Sequence, residues 1–330
     1  MKKNLFILLI LVTISSFAQP RFIVQNGTTT VFSNINDAIT NATAGDTLYL
    51  PGGGFAITNT TIDKTLHWVG VGHYPDSTAA TGQTRITSGL SFTGNCDNSS
   101  FEGIEFVSSL TFGSNTDEAE NILIKRCRVR GELRLRTVNT GNPDLNDQIS
   151  ECVLTVVHGN NAANCLIEKC IINRPIVSFY QSLFRYNSLN IYDYYNRSLQ
   201  YIDGCQFHDN IFAYSTGHFS VTSCDFKDNL YSTGLPFDPT TSTNTASGNM
   251  INIGNENVYT EITGNFYDFK YDDNYHQQGG GTDTLGIYGA PIPYKEGSVP
   301  FYPHVRIVSV DDSATEGQLG VKITVAAQDH

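Results

Sequence analysis

Hydrophobic and polar positions repeat along most of this chain in one short pattern. An apolar residue lies three positions before a small or polar residue, and a second apolar residue lies two positions after it. The clearest copies are YIDGCQFHDN, beginning at Tyr201, and SVTSCDFKDN, beginning at Ser220. The pattern is centred on Ile104, Cys127, Cys152, Cys170, Asn187, Cys205 and Cys224. Successive centres are 17 to 25 residues apart, which is typical of a solenoid in which each repeat forms one turn.

The segment 32–42 predicts a short amphipathic helix, because its apolar residues recur at helical spacing and Ser33 is placed to cap the first turn. Those apolar residues are Ile35, Ala38, Ile39 and Ala42. Gly45 can adopt the left-handed conformation that ends a helix, and residues 47–50 then predict a strand that Pro51 stops. No later segment predicts a helix, so the pattern indicates an all-β chain.

This helix, strand and turn together resemble the N-terminal cap of right-handed parallel β-helix proteins of the pectate-lyase-like superfamily. The matching residues are Ala38, Ile39, Ala42, Gly45, Asp46, Leu48, Leu50, Pro51 and Gly52. In such a solenoid the helix covers the core and the unpaired strand edge at the open end. The resemblance implies a right-handed parallel β-helix over residues 19–303. Two strands within residues 304–330 predict a β-hairpin that closes the far end.

The resemblance concerns the fold, and this fold hosts many functions. Pectate lyases carry R-x-P-x-x-R, whereas Arg174 and Pro175 are followed by no second arginine at that spacing. The polygalacturonase motifs are also incomplete, since no D-D pair lies between the N-T-D at 115–117 and Gly217-His218. The motifs therefore argue against either activity.

Residues 1–18 have the features of a cleavable secretory signal. Lys2 and Lys3 precede an apolar run, and the small residues Ser16 and Ala18 stand where a signal peptidase reads. The run is shorter than the about 20 apolar residues that span a bilayer. We therefore expect a protein of the periplasm or the cell exterior without a membrane span.

The formal charge of −12 argues against nucleic acid or an anionic membrane as the main partner and favours neutral or cationic ligands. No cofactor or metal is expected from the sequence. Calcium is a weak alternative at Asp272, Asp273, His276 and Asp283, since their spacing fits no calcium loop.

Seven cysteines in a secreted chain raise the question of disulfides. Five of them occupy the centre of the repeat, where a free thiol acts as a small hydrophobic side chain: Cys127, Cys152, Cys170, Cys205 and Cys224. Side chains on neighbouring parallel strands point the same way, a poor geometry for a disulfide. A stacked ladder of buried thiols is therefore expected.

The candidate site lies on the outward positions two residues before the repeat centres. There Glu168, Arg185 and Asp203 belong to three successive repeats and are expected to stack side by side on one exposed sheet face. Two carboxylates flanking a guanidinium could act as acid, base and charge stabiliser on a glycan. An ion ladder that only fixes the strand register is the structural alternative.

A tyrosine-rich segment follows Arg185, and tyrosine rings suit stacking on sugars. Its candidate glycan-binding residues are Tyr192, Tyr194 and Tyr195, together with Arg185 and Asp203. Core packing and turn filling are the alternative roles of these rings.

Three functions remain open from the sequence. The first is non-catalytic binding of an extracellular or envelope polysaccharide or cell-surface glycan through an exposed sheet face. The second is a polysaccharide lyase or glycoside hydrolase that uses Glu168, Arg185 and Asp203. The third is a structural or adhesion module that needs only the repeat.

Overall fold

The computed structural model describes residues 20–75, 78–113, 117–136, 145–190, 199–213, 219–235, 237, 240, 242–252, 259–261, 270–271, 285–292, 294, 304–310 and 320–326. These residues form a parallel β-solenoid, as the repeat predicts. The predicted signal segment 1–18 lies outside the described residues.

The first long sheet, sheet A, takes one short strand from each turn of the solenoid. Its strands, in spatial order, are β2 (Thr28–Phe32), β1 (Phe22–Asn26), β3 (Asp46–Tyr49), β6 (Leu66–Val69), β9 (Ser100–Glu102), β12 (Leu123–Lys125), β14 (Gln148–Ser150), β16 (Leu166–Glu168), β19 (Leu183–Arg185), β22 (Gln206–His208), β25 (Asp225–Lys227) and β27 (Thr245–Ser247). From β3 onward every pair in this sheet is parallel.

The second long sheet, sheet B, has nine strands along its main path. They are β4 (Gly53–Phe55), β7 (Thr84–Ile86), β10 (Glu105–Phe106), β13 (Arg128–Arg134), β15 (Val153–Ala163), β17 (Ile171–Ile172), β20 (Ser188–Asn190), β23 (Ile211–Ala213) and β26 (Leu230–Tyr231). A further row pairs with the long strands β13 and β15: β5 (Thr61–Ile62), β8 (Leu90–Phe92), β11 (Leu110–Phe112), β18 (Ile176–Tyr180), β21 (Leu199–Asp203) and β24 (Val221–Thr222).

A helix and an antiparallel strand pair stand at the N-terminal end of the solenoid. Helix α1 (Ile35–Asn41) begins later than the pattern predicts, because the side chain of Asn34 rather than Ser33 accepts the N–H of Asn36 at 2.7 Å. At the other end of the helix, Lys64 Nζ donates to the carbonyl oxygen of Ala42 at 2.8 Å. A lysine there satisfies carbonyl groups that a helix terminus leaves open.

The core is built from the inward positions of successive strands, which stack in register. Phe184, Phe207 and Phe226 form one such stack in sheet A, with ring centroids 4.8 Å apart at each step and rings nearly parallel. All three side chains are fully buried. The stack shows that Phe184 is aligned with Phe207, and this alignment sets the register of every later turn.

The turns bend at two different corners next to sheet A. We call entry corner the position directly before a sheet A strand, and exit corner the position directly before the sheet B strand that follows. The entry corner holds Ser99, Ile122, Asp147, Cys165, Ser182, Cys205, Cys224 and Asn244. The exit corner holds Ile104, Cys127, Cys152, Cys170, Asn187, Asn210, Asn229 and Asn249.

The expected ladder of five cysteines is therefore wrong in its register. Cys127, Cys152 and Cys170 share the exit corner, but Cys205 and Cys224 lie at the entry corner. Asparagines continue the exit corner instead, and the N–H groups of Asn187 and Asn210 each donate to the next side-chain oxygen at 2.9 Å. Both corners are occupied mostly by Cys, Ser, Asn or Asp, so the repeat pattern fits either of them.

All seven cysteines are nevertheless free and buried, including the five whose burial the repeat pattern predicts. Burial raises the pKa of the Cys96 and Cys224 thiols to about 11, and burial also raises the pKa of Cys170 well above its ordinary value. Since the thiolate is the nucleophile, we expect iodoacetamide at about pH 8 to leave the native protein unmodified. Mass spectrometry should find seven adducts only after denaturation. Rapid labelling of the folded protein at any of these sites would contradict the burial described.

Two small antiparallel sheets complete the chain: β28 (Tyr259–Glu261) with β29 (Lys270–Tyr271), and β30 (His304–Val310) with β31 (Val321–Ala326). The second pair confirms the predicted hairpin. Its side chains Val308, Val321, Ile323 and Val325 are 46 to 59 % exposed. This face of the hairpin therefore does not cover the end of the solenoid.

Candidate functional site

A groove lies on the outer surface of sheet B, across β13, β15 and the residues that directly follow β17. It has a volume of about 350 Å³. Its lining residues are Arg128, Val129, Arg130, Val153, Thr155, Asn173 and Arg174. Arg128 and Arg130 lie two residues apart on β13 with the buried Val129 between them, so the alternation of a strand points both toward the outside. We call this surface the arginine groove.

One buried carboxylate holds the arginines at the floor of the groove. Glu105, whose side chain has no exposed surface, pairs with Arg85 at 2.6 Å, with Arg130 at 2.5 Å and with Arg128 at 3.4 Å. Residues Arg85, Glu105 and Arg128 are in register on β7, β10 and β13. Three guanidinium groups thus share one carboxylate, so these four side chains together carry a net positive charge.

The electrostatics of Arg128 reflect this crowding. The pKa of Arg128 is lowered to about 10, chiefly by burial and then by the charge of Arg130, against the opposing charge of Glu105. The side chain remains charged at neutral pH, in a position where its charge is poorly solvated. An anion placed in the groove would offset both the loss of solvation and the repulsion from Arg130.

The rest of the lining supplies hydrogen-bonding groups and one more cation. The hydroxyl of Thr155 reaches the carbonyl oxygen of Val129 at 3.2 Å, and Asn173 is partly exposed one strand further along. Arg174 is exposed at the groove edge. Guanidinium groups beside hydroxyl and amide groups suit a ligand that carries carboxylate or sulfate groups among hydroxyls.

An acid–base pair lies on the same strands but outside the groove lining. After a shift of register between Val129 and Glu132, Glu132 pairs with His158 at 2.6 Å and with Arg134 at 2.6 Å. Burial, with a contribution from Arg134, holds the pKa of His158 below its usual value against the charge of Glu132. No carboxylate or imidazole is among the side chains described as lining the groove itself.

Two of the three predicted catalytic residues are neighbours, as expected. Glu168 and Arg185 are in register on β16 and β19, and their side chains form an ion pair at 2.8 Å. This pair lies on the outer face of sheet A. On its other side Arg185 is in register with His208 of β22.

The third predicted residue, Asp203, does not stack on Arg185, and this expectation is wrong. Asp203 ends β21 in sheet B, where its register partners are Tyr180 and Thr222. The reason is that the repeat pattern fits both corners. The pattern alone aligns Cys205 with Asn187, whereas in the structure Asn210 is the residue aligned with Asn187. The proposed line of carboxylate, guanidinium and carboxylate is therefore not formed.

The predicted glycan-binding residues Tyr192, Tyr194 and Tyr195 lie in segment 191–198, outside the described residues. That segment follows Asn190, whose strand pairs with the strand before Asn173. The weak calcium candidates Asp272, Asp273, His276 and Asp283 also lie outside the described residues. Elsewhere, the part of the chain that the structure describes has no group of three or more His, Cys, Asp or Glu placed to hold a metal ion.

The arginine groove was not found from the sequence, although a signal was present. The stretch RCRVRGELRLR from Arg126 to Arg136 places an arginine at every second position over much of its length. Alternation of that kind predicts a strand with one cationic face. The contribution of Arg85, Glu105 and Arg174 depends on the packing of successive turns.

No family model, no curated protein and no solved structure matches the chain. Among the residues that the structure describes, no helix has both the length and the apolar character needed to cross a membrane.

Proposed function

We propose that this protein is a secreted solenoid that binds an anionic polysaccharide in the arginine groove without cleaving it. The single observation that carries this proposal is the sharing of one buried carboxylate, Glu105, among Arg85, Arg128 and Arg130. The surplus cationic charge lies in a groove that also offers Thr155 and Asn173 for hydroxyl groups. Charge-assisted hydrogen bonds of this kind are stronger than neutral ones.

The local charge reverses one expectation from the composition. A net charge of −12 favoured neutral or cationic ligands, but a ligand responds to the potential where it binds. The negative remainder of the surface still disfavours a nucleic acid, which would extend beyond the groove. The groove lining described here also includes no aromatic ring on which a base could stack.

The parallel solenoid, the signal pattern in residues 1–18 and the N-terminal cap pattern support placing this protein with the right-handed, pectate-lyase-like β-helix proteins outside the cytoplasm. This placement rests on the sequence resemblance. It makes polysaccharide a reasonable ligand class for the groove.

Catalysis by a polysaccharide lyase or glycoside hydrolase is the alternative function, and two observations argue against it. Glu168 and Asp203, the acid and base expected from the sequence, lie on different sheets. The Glu132–His158 pair lies beyond the groove lining. Incubation with each glycan followed by mass spectrometry would reveal any cleavage products. A purely structural or adhesion module would neither bind nor cleave these glycans.

Two matched variants show whether the ligand binds in the arginine groove or on the outer face of sheet A, where Glu168 and Arg185 lie. Arg130 and Arg185 are each 42 % exposed and each pair with one glutamate, but they lie on different sheets. We expect Arg130→Gln to weaken binding to polygalacturonate, alginate or heparin roughly tenfold or more, which corresponds to ~1.4 kcal/mol. Arg185→Gln should leave the affinity unchanged. Isothermal titration calorimetry measures both, with dextran as the uncharged control ligand.

The opposite result is equally informative. If Arg185→Gln weakens binding and Arg130→Gln does not, the site is on sheet A, around the sequence-predicted residue Arg185. If dextran binds as well as the anionic glycans do, the groove does not select ligands by their negative charge. Circular dichroism of both variants separates a binding effect from unfolding.

A further inference from the structure

An apolar strip on the outer face of sheet B is covered by residues 285–292 and 294, which we call the strap. The outward side chains of this strip are at most 4 % exposed: Val153, Ile171, Ile211 and Leu230. They form one hydrophobic cluster with Leu285, Ile287 and Tyr294 of the strap. The N–H of Gly286 donates to the carbonyl oxygen of Asp209 at 2.8 Å, which attaches the strap to the turn before β23.

The strap cluster continues from the arginine groove along the solenoid axis toward the C-terminal turns. At β23 both outward side chains, Ile211 and Ala213, are buried in the strap cluster. Val153 belongs both to this cluster and to the lining of the arginine groove. The groove therefore meets the strap cluster on its side toward the C-terminal turns.

The other end of the groove has a different character. Toward the N-terminal turns, the outward positions carry Arg128, Glu105 and Arg85 in register. The Arg85 side chain is 40 % exposed. Charged side chains therefore lie next to the groove in this direction, whereas the apolar strap cluster lies next to it in the other.

We infer that the arginine groove is closed at its C-terminal side by the strap and takes the end of an anionic glycan chain or a short oligosaccharide, not an internal stretch of a long polymer. This inference rests on the proposed function. The strap is thus a specificity element, which selects ligands by the position of their ends.

The dimensions and the charge of the protein support this assignment. The groove crosses three strands, which is roughly 10 Å along the axis at the usual strand spacing. The net charge of −12 acts against a long polyanion that leaves the groove and runs over the remaining surface. A short anionic ligand gains the attraction of the arginines without that repulsion.

The test is the number of protein molecules bound per glycan chain. Galacturonate dimer, tetramer and octamer and two polygalacturonate fractions, the second tenfold longer than the first, are titrated calorimetrically into the wild-type protein. A closed groove binds one protein per chain whatever the chain length. A groove open at both ends would bind a number of proteins that rises roughly tenfold between the two fractions.

Variants of the strap and of the groove distinguish the two proposals. Ile287→Ala combined with Tyr294→Ala loosens the strap and should raise the number of proteins per long chain, whereas Ile323→Ala on the exposed hairpin should not. If binding depends on Arg130 but wild-type stoichiometry rises with length, only the closed groove is overturned. If no anionic glycan binds, or Arg130→Gln has no effect, the proposed function fails and this inference with it.

Discussion

Replacing Glu105 by glutamine should destabilise the protein by about 3 kcal/mol or more, because removing one partner of a buried ion pair leaves uncompensated charge in the fold. Glu105 is fully buried and is the shared partner of Arg85, Arg128 and Arg130. Glutamine keeps the shape of the side chain but removes the negative charge. Urea unfolding at neutral pH, followed by circular dichroism, measures the loss.

Glu132→Gln is the matched control for this prediction. Glu132 also pairs with two basic side chains, Arg134 and His158, but it is 24 % exposed. Exposed pairs contribute about 1 kcal/mol or less. Equal losses for the two variants would show that the crowding of arginines around Glu105 has no special energetic weight. A saturating anionic glycan should also recover part of the loss in Glu105→Gln if the groove binds anions.

Asp147→Asn should stabilise the protein, by an amount that grows as the pH rises. Asp147 lies at the entry corner with no exposed surface. Its Oδ1 accepts the N–H of Ile122 at 2.8 Å, and its Oδ2 has no hydrogen-bond partner among the residues that the structure describes. Burial raises the pKa of Asp147 well above its ordinary value, against the opposing hydrogen bond from Ile122 and with smaller contributions from the charges of Glu120 and Asp97. Asparagine resembles the protonated acid and needs no proton.

The sign follows from proton linkage. Below the unfolded-state pKa of about 4 both states hold the proton, so this group places no penalty on folding. Above that pH the unfolded chain releases the proton while the folded protein retains it, and stability falls by about 1.4 kcal/mol per pH unit until the folded-state pKa is reached. The stabilities of wild type and Asp147→Asn should therefore diverge with this slope above about pH 4. Parallel curves between acid and neutral pH would show that Asp147 is ionised in the folded protein.

The positions that the sequence located correctly are those that depend on local pattern. The alternation of inward and outward residues and the regular length of the turns predicted a parallel solenoid, a helix near the N-terminus and a hairpin near the C-terminus. Glu168 and Arg185 were placed side by side because the turn between them has an ordinary length and no inserted segment. Each of these features follows from the side-chain period of a strand or a helix, which is visible within a few residues.

The errors begin at a longer turn. Between Asn187 and Asn210 the chain includes segment 191–198, and within this turn Ile202, Cys205 and Phe207 imitate the pattern of an exit corner. The stacking of Phe184 on Phe207 shows that Asn210, and not Cys205, lies at the exit corner of this turn. Because the stacking involves residues from two turns, it cannot be predicted from the pattern within one turn.

Local periodicity was therefore enough to predict the class of fold, the inward positions and the burial of the five cysteines in the repeat. Which outward residues are neighbours, and with them the candidate site, depends on how successive turns pack on one another. Arg85, Glu105, Arg128 and Arg174 come from four different turns, and the strap that meets their groove begins more than a hundred residues after the last of them. Burial patterns are fixed by local periodicity, whereas a binding surface is fixed by register between turns of unequal length.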